Sequence, residues 1–290
     1  MSDEVAAFGT YALSPGMERL RRFGQGLGRG VVARRACSVI RRVVTGGRPG
    51  PFDVEPFPGQ RARLYPGDNL SEKRVFGGAQ FWDWAERAAL GRAVRAADEP
   101  VYVIDAGANA GLYTLAVRAE AAGRDVRIIA IEPDPENLSR LRFNVAASDA
   151  GDDVTVAPVA LSDAPGEIRI AASHANRGEL AIDADGVPVS ARPLLDVVTE
   201  AGYPRIDALK IDIEGMEERV LGHFFSNAPR ALWPGMVILE ARRGEETPAL
   251  QHLRSLGYDV EERTRMNVVA RAPAPAANPA SNTGDAHGKA

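Results

Sequence analysis

From Val101 onward, apolar and polar positions alternate between two periods. VYVIDA (101–106) and VRIIAIE (126–132) are short, nearly continuous apolar runs, as expected of strands buried on both faces. The stretch after Gly111 reads as a helix, and so does PENLSRLRFNVAAS, where Leu138, Leu141 and Val145 recur at helical spacing. DVTVAPVAL (153–161) predicts a third strand, followed by short β-like pieces near EIRIA and GVPVSA. Helix PLLDVVTEAG leads to strand DALKIDI, helix MEERVLGHFF and strand MVILEA (236–241). Helix TPALQHLRSLG (247–257) and the short strands YDVEE and MNVVARA close the pattern. Strands alternating with helices predict an α/β fold, a doubly wound parallel sheet with ligands at the carboxyl ends of its strands.

The chain before this pattern differs in character. Between Met17 and Arg48 there are nine arginines and one acid, Glu18, with glycines at 24, 26, 28 and 30. A solvated helical extension accounts for this stretch, and a membrane-surface or nucleic-acid arm is the sharper alternative. The segment from Pro51 to Pro66 is proline-rich and expected to be extended. Residues 1–66 therefore read as a basic, partly helical N-terminal extension and 67–271 as the main domain. Residues 272–290, rich in Pro, Ala, Asn and Gly without periodicity, read as a disordered tail.

Composition narrows the partners. With 45% hydrophobic and 26% charged residues and a net charge of −4, the 290-residue chain is ordinary for a globular protein. It offers no global attraction to nucleic acid. Cys37 is the single cysteine, so no internal disulfide forms. No run approaches a membrane span, and MSDEVAAFGT lacks the pattern of a signal peptide, so a cytoplasmic location is expected.

Three strand ends carry the candidate chemistry. In VYVIDAGANAGLYTL, Gly107 and Gly111 allow a sharp strand-to-helix turn and a close ligand approach. GANAG lacks the G-x-G-x-x-G spacing of dinucleotide sites. Asp105 also stands where a pyrophosphate would rest, and a carboxylate there suits a ligand with an ammonium and a sulfonium, S-adenosylmethionine. Glu132, 21 positions after Gly111, is placed to accept hydrogen bonds from ribose hydroxyls, which fits either adenosine ligand. LKIDIEG (209–215) is the anomaly. Its odd positions are apolar, while period two puts Lys210, Asp212 and Glu214 together on the other face, a costly burial unless they lie at an open strand end.

IDAGANAGLYTL, AIEPDPENLSRLRFN, VALSDAPGEI and IDALKIDIEGMEERVL, in that order, resemble the FkbM family of S-adenosylmethionine-dependent methyltransferases over roughly residues 101–271. YPGDNLSEKRVF (65–76) is similar to the lead-in of some members. The resemblance implies the class I methyltransferase fold, a Rossmann-like seven-stranded sheet with a final antiparallel strand, and O-methylation of hydroxyls on sugars or natural products. It implies that Asp105, Gly107, Asn109 and Gly111 line the methionine and ribose side of the cofactor, with Glu132 on the ribose and Pro133 near the adenine. It also puts Ser162 and Asp163 over the adenine ring, although Ser-Asp-Ala-Pro-Gly reads equally as a plain turn. LKIDIEG then faces the methyl group and the acceptor.

A hydroxyl acceptor must lose its proton, which calls for a base. Asp212 is the first candidate, with Lys210 and Glu214 setting its charge state, and His174 is the second. Asn176, Arg177 and Glu240 are expected on the substrate side. No His/Cys spacing supports zinc, and no metal is expected. The partner is thus a small-molecule hydroxyl acceptor. The alternatives are an NAD-linked oxidoreductase, opposed by Asp105 and the missing third glycine, and a non-catalytic S-adenosylmethionine-binding protein. The sequence leaves the oligomeric state open.

Overall fold

A computed structural model describes residues 6–172, 180–183 and 185–273. The elements before the glycine turn are α1 (Pro15–Gly26), α2 (Val31–Thr45), β1 (Phe52–Phe57), β2 (Gln60–Leu64), α3 (Leu70–Gly78), α4 (Trp84–Ala96) and β3 (Val101–Ala106). Next come α5 (Leu112–Ala121), β4 (Val126–Ile131), α6 (Pro135–Ala147), β5 (Val154–Ala157), β6 (Ala160–Ser162), β7 (Gly166–Ala172), β8 (Leu180–Ile182) and β9 (Val187–Pro193). The chain continues through α7 (Leu194–Glu200), β10 (Ala208–Ile211), α8 (Glu217–Asn227), β11 (Met236–Glu240), α9 (Pro248–Ser255), β12 (Asp259–Arg263) and β13 (Asn267–Arg271). Among these, no helix is long and apolar enough to cross a membrane.

Seven strands form one sheet in the order β12-β13-β11-β10-β3-β4-β5. From β11 to β5 every pairing is parallel, and β13 lies antiparallel between β11 and β12. From β3 the chain winds outward through β4 and β5, then crosses back to β10 and winds the other way. The reversal lies between β3 and β10, and a crevice opens there at the strand ends.

Alternation along the strands divides the core into two layers. Val103, Ile128, Ala130 and Ala208 join one cluster, while Ile104, Ile129, Ile131, Leu209 and Ile211 join the other. Helices α7, α8 and α9 bury their apolar faces in the second layer, and α4, α5 and α6 in the first. Asp105 and Lys210 sit on the first face, side by side in the β3–β10 register.

The first layer also takes in the N-terminal region. Phe52 and Val54 of β1, Leu64 of β2 and Phe76 of α3 pack in the same cluster as Val103. A boundary at 66 therefore cuts through one packed unit. Two buried ion pairs fasten it. Arg63 Nε donates to Asp53 at 2.7 Å, and the Arg63 guanidinium also donates to the carbonyls of Ala6 and Ala7. Arg140 on α6 donates to Glu72 on α3 at 3.0 Å, and Glu72 is fully buried.

Two strands are shorter than their apolar runs predict. DVTVAPVAL is split into β5, in the main sheet, and β6, in a separate four-stranded sheet of order β6-β9-β7-β8. Pro158, with no N–H for a ladder, stands at the break. DALKIDI ends at Ile211 because the chain turns there, with Glu214 at φ 55° and Gly215 at φ 97°. The period-two argument thus holds for Lys210 only; Asp212 and Glu214 lie on the turn beyond the strand.

Candidate functional site

The site begins where β3 and β10 end. Gly107 has φ 75°, and a Cβ there would lie 1.8 Å from the Asp212 carbonyl oxygen, so only glycine lets these two strand ends meet. Gly111 serves packing instead: its Cβ would meet Leu141 of α6 at 2.6 Å. Between them Asn109, at φ 52°, donates its backbone N–H to Glu132 Oε2 at 2.7 Å. The Asn109 side-chain oxygen accepts from Asn69 Nδ2 at 2.8 Å, tying the loop to the cap of α3.

Beneath the loop lies a buried ionic group. Lys210 Nζ donates to the carbonyls of Gly107, at 2.7 Å, and Ala106, at 3.3 Å. Its carboxylate neighbours are farther away, Asp212 at 3.6 Å and Asp105 at 3.8 Å. Burial works against the ammonium charge, but the surrounding carboxylates of Asp212, Asp105, Glu132 and Asp83 outweigh it and hold Lys210 above its ordinary value. Asp105 is buried with Oδ2 accepting from both the N–H and the hydroxyl of Thr114, and Oδ1 has no hydrogen-bond partner. Burial raises its pKa despite Lys210 and Thr114.

Two more carboxyls are tuned by burial. Glu132, at the end of β4, is pushed up to about 7 by desolvation, although the N–H groups of Asp134 and Asn109 stabilise its anion. Glu240 ends β11 beside the β10 turn and is also raised to about 7, first by burial and then by the charge of Asp212, with which it is in hydrogen-bonding contact.

Above these groups opens a cleft of about 1040 Å³. Part of its lining is apolar, with Ile131, Pro133, Val159, Leu161, Ile168 and Met216. Its polar lining comes from β10 and the loops after β3, β4 and β10, with Asn109, Glu132, Lys210, Asp212 and Glu214. The remaining wall comes from earlier in the chain: Ser71 on α3, with Trp82 and Asp83 before α4. Asp83 has φ 41°, a left-handed conformation rare for aspartate, and accepts from the Tyr113 hydroxyl at 3.0 Å. Burial raises the Asp83 pKa.

Of the residues singled out from sequence, Gly107, Asn109, Glu132, Pro133, Lys210, Asp212 and Glu214 line this cleft. Asp105, Gly111, Ser162, Asp163 and Glu240 are not among its lining residues. Asp105 is committed to Thr114, Gly111 to Leu141, and Asp163 to Arg219 at 2.8 Å, which draws it to the surface. The Ser162 hydroxyl donates to Asp163. His174, Asn176 and Arg177 lie outside the described residues. Sequence reasoning missed Ser71, Trp82, Asp83, Tyr113 and Met216. Tyr113 and Met216 lay inside quoted motifs as apparent core, and Asp83 between two tryptophans carried no periodic signal. Among the described residues, no group of three His, Cys, Asp or Glu side chains gathers as a metal site.

The strand order, with its single antiparallel strand beside the last parallel one, and the cleft at the switch point define a class I methyltransferase fold. Residues 105–260 match the model of the Methyltransferase FkbM domain, and the chain belongs to that family. Methyltransferase sdnD of Sordaria araneosa is 30% identical over 154 residues, an alignment covering 41% of this chain and 59% of that protein. Solved structures that it resembles include methyltransferase FkbM from Methylobacillus flagellatus KT, with TM-score 0.42 and 16% identity over 88% of this chain and 58% of that one. Another is precorrin-6y C5,15-methyltransferase from Geobacter metallireducens GS-15, with TM-score 0.41 and 20% identity over 64% and 87% of the two chains.

Proposed function

We propose that the chain transfers a methyl group from S-adenosylmethionine to a hydroxyl oxygen of a small molecule, a sugar or a natural product. The observation that carries the reading is a strand-end cleft lined by apolar side chains together with the carboxylates of Glu132 and Asp212, in a chain of the FkbM family. Ile131, Pro133, Val159 and Leu161 give the cleft apolar lining suited to a flat base. Glu132 offers acceptor oxygens for ribose hydroxyls, and Gly107 leaves room where a side chain would block approach. Lys210 donates to backbone carbonyls and so holds the Gly107 turn in place.

S-adenosylmethionine, when bound, supplies an electrophilic methyl on a sulfonium. The residues of the chain provide alignment and a place for the acceptor's proton. Asp212, half-exposed on the turn after β10, takes that proton. Lys210 stands 3.6 Å from Asp212, and Glu240, raised to about 7 by burial, shares the proton afterwards. Asp83 and Glu214, both on the cleft lining, present further acceptors to a hydroxyl-bearing ligand.

The test is thermal unfolding with S-adenosylmethionine, S-adenosylhomocysteine and NAD in parallel, followed by a screen of hydroxyl compounds for methyl transfer. A ligand at about 100 times its dissociation constant stabilises by about 2.7 kcal/mol. Stabilisation by both S-adenosyl ligands and not NAD is expected, with product mass raised by one methyl. Stabilisation by NAD alone overturns the cofactor, and transfer to carbon or nitrogen acceptors only overturns the hydroxyl.

A further inference from the structure

The cleft leaves the arginine-rich N-terminal helices unexplained. α1 and α2 pack against each other, and α2 packs on α3, so the pair forms a fixed ridge. Glu18, the one acid between Met17 and Arg48, is consumed inside that ridge by Arg21 and Arg22. Arg19, Arg35 and Arg42 are exposed and make no ion pair among the described residues.

Large apolar side chains are exposed beside them. On α2, Val32 is 82% exposed, Val39 57% and Val43 52%, at spacings of seven and four that keep them on one stripe of the helix. Arg35 and Arg42 fall within the same stripe. On α1, Phe23 is 63% exposed, one turn after Arg19. In the main sheet, by contrast, every valine of β3, β11 and β13 is buried. A solvated helix needs none of these apolar groups, and a nucleic-acid surface gains nothing from aliphatic ones. A bilayer interface uses both kinds at once, guanidinium groups on lipid phosphates and apolar side chains among the acyl chains. The charge is also local, because the chain as a whole carries −4.

We infer that the α1–α2 ridge is a docking surface for an anionic lipid bilayer, with Phe23, Val32 and Val39 inserting between headgroups and Arg19, Arg35 and Arg42 contacting lipid phosphates. Binding is peripheral and reversible, since two short helices with few apolar residues insert only shallowly. Its strength follows the anionic lipid content and falls with salt.

The experiment is co-sedimentation of the full chain with vesicles of phosphatidylcholine alone, and of phosphatidylcholine containing one third phosphatidylglycerol. The expected result is sedimentation with the anionic vesicles only, reversed at about 0.5 M salt, where charges are screened within a few ångströms. V32D/V39D and R35E/R42E should each weaken binding at least about tenfold. Both pairs are on the surface, so unchanged melting temperatures show that folding is intact. No sedimentation of the wild type, equal sedimentation with both vesicles, or binding that survives both pairs of substitutions overturns the inference. So does a wild-type dimer that V32D/V39D turns into a monomer without any vesicle binding, which would assign the ridge to a second copy. None of these outcomes depends on the cofactor or the acceptor.

Discussion

Arg140 and Lys210 are almost equally buried, 7% and 6% exposed, and both sit among carboxylates. Their surroundings are nevertheless opposite. Arg140 spends its guanidinium on Asp68, Glu72 and Glu136 at 2.6 to 3.0 Å and stacks 4.0 Å over the Tyr65 ring. Lys210 bonds only to backbone carbonyls, its carboxylates stay 3.6 Å or more away, and Asp105 keeps an oxygen without a hydrogen bond. Burying a charge is tolerable when its hydrogen bonds are filled, and the first cluster fills them. The second holds charge in reserve beside a cleft. Satisfaction of the polar atoms, more than burial or charge count, separates the tie that holds α3 to α6 from the group that lines the cleft.

The contrast is broken most forcefully at Arg140. Replacing it with alanine leaves Glu72 buried without its cation, and the unfolding free energy should fall by about 3–5 kcal/mol in a denaturant titration. A loss below about 1 kcal/mol would remove the distinction. Asp212→Asn should do the reverse. Methyl transfer drops about a hundredfold, about 2.7 kcal/mol on the barrier, while stability stays within about 0.5 kcal/mol. Full transfer by the variant would clear Asp212 of the proton.

Glu132 sharpens the comparison through pH. Its folded pKa, about 7, exceeds the ordinary 4.5, so the folded state favours the protonated form. Its contribution to stability is therefore complete below about 4.5 and is lost as pH rises through 7, a change on the order of 3 kcal/mol. E132Q should flatten the fall in stability across that window, as read from melting curves at a series of pH values. An unaltered slope would mean that Glu132 does not titrate there. The smallest effect is expected from Y113F, which removes the hydrogen bond to Asp83 and should cost about 1 kcal/mol. A neutral result would show that the Asp83 wall holds itself in place.

Much of this was legible in the chain. The period-two and helical spacings gave the seven main strands and the helices between them, because a two-layer core forces apolar residues into those rhythms. Gly107, Glu132, Lys210 and Asp212 stood out for departing from that rhythm at strand ends. What was not legible depends on contacts between distant segments. Nothing local says that Asp163 pairs with Arg219, that Pro158 sends Ala160–Ser162 to another sheet, or that Phe52–Leu64 pack beneath the main sheet. Asp83 was invisible for the same reason, since it acquires its place only when α4 folds against α5.

The wall formed by Ser71, Trp82 and Asp83 comes from chain lying before residue 105, where the family match begins. The lining of the cleft thus comes from two stretches of the chain, one inside the family match and one before it. Transplanting residues 67–100 from a relative would replace Ser71, Trp82 and Asp83 and leave the Gly107–Gly111 loop unchanged. Transplanting only 105–260 would deliver that loop with its facing wall missing.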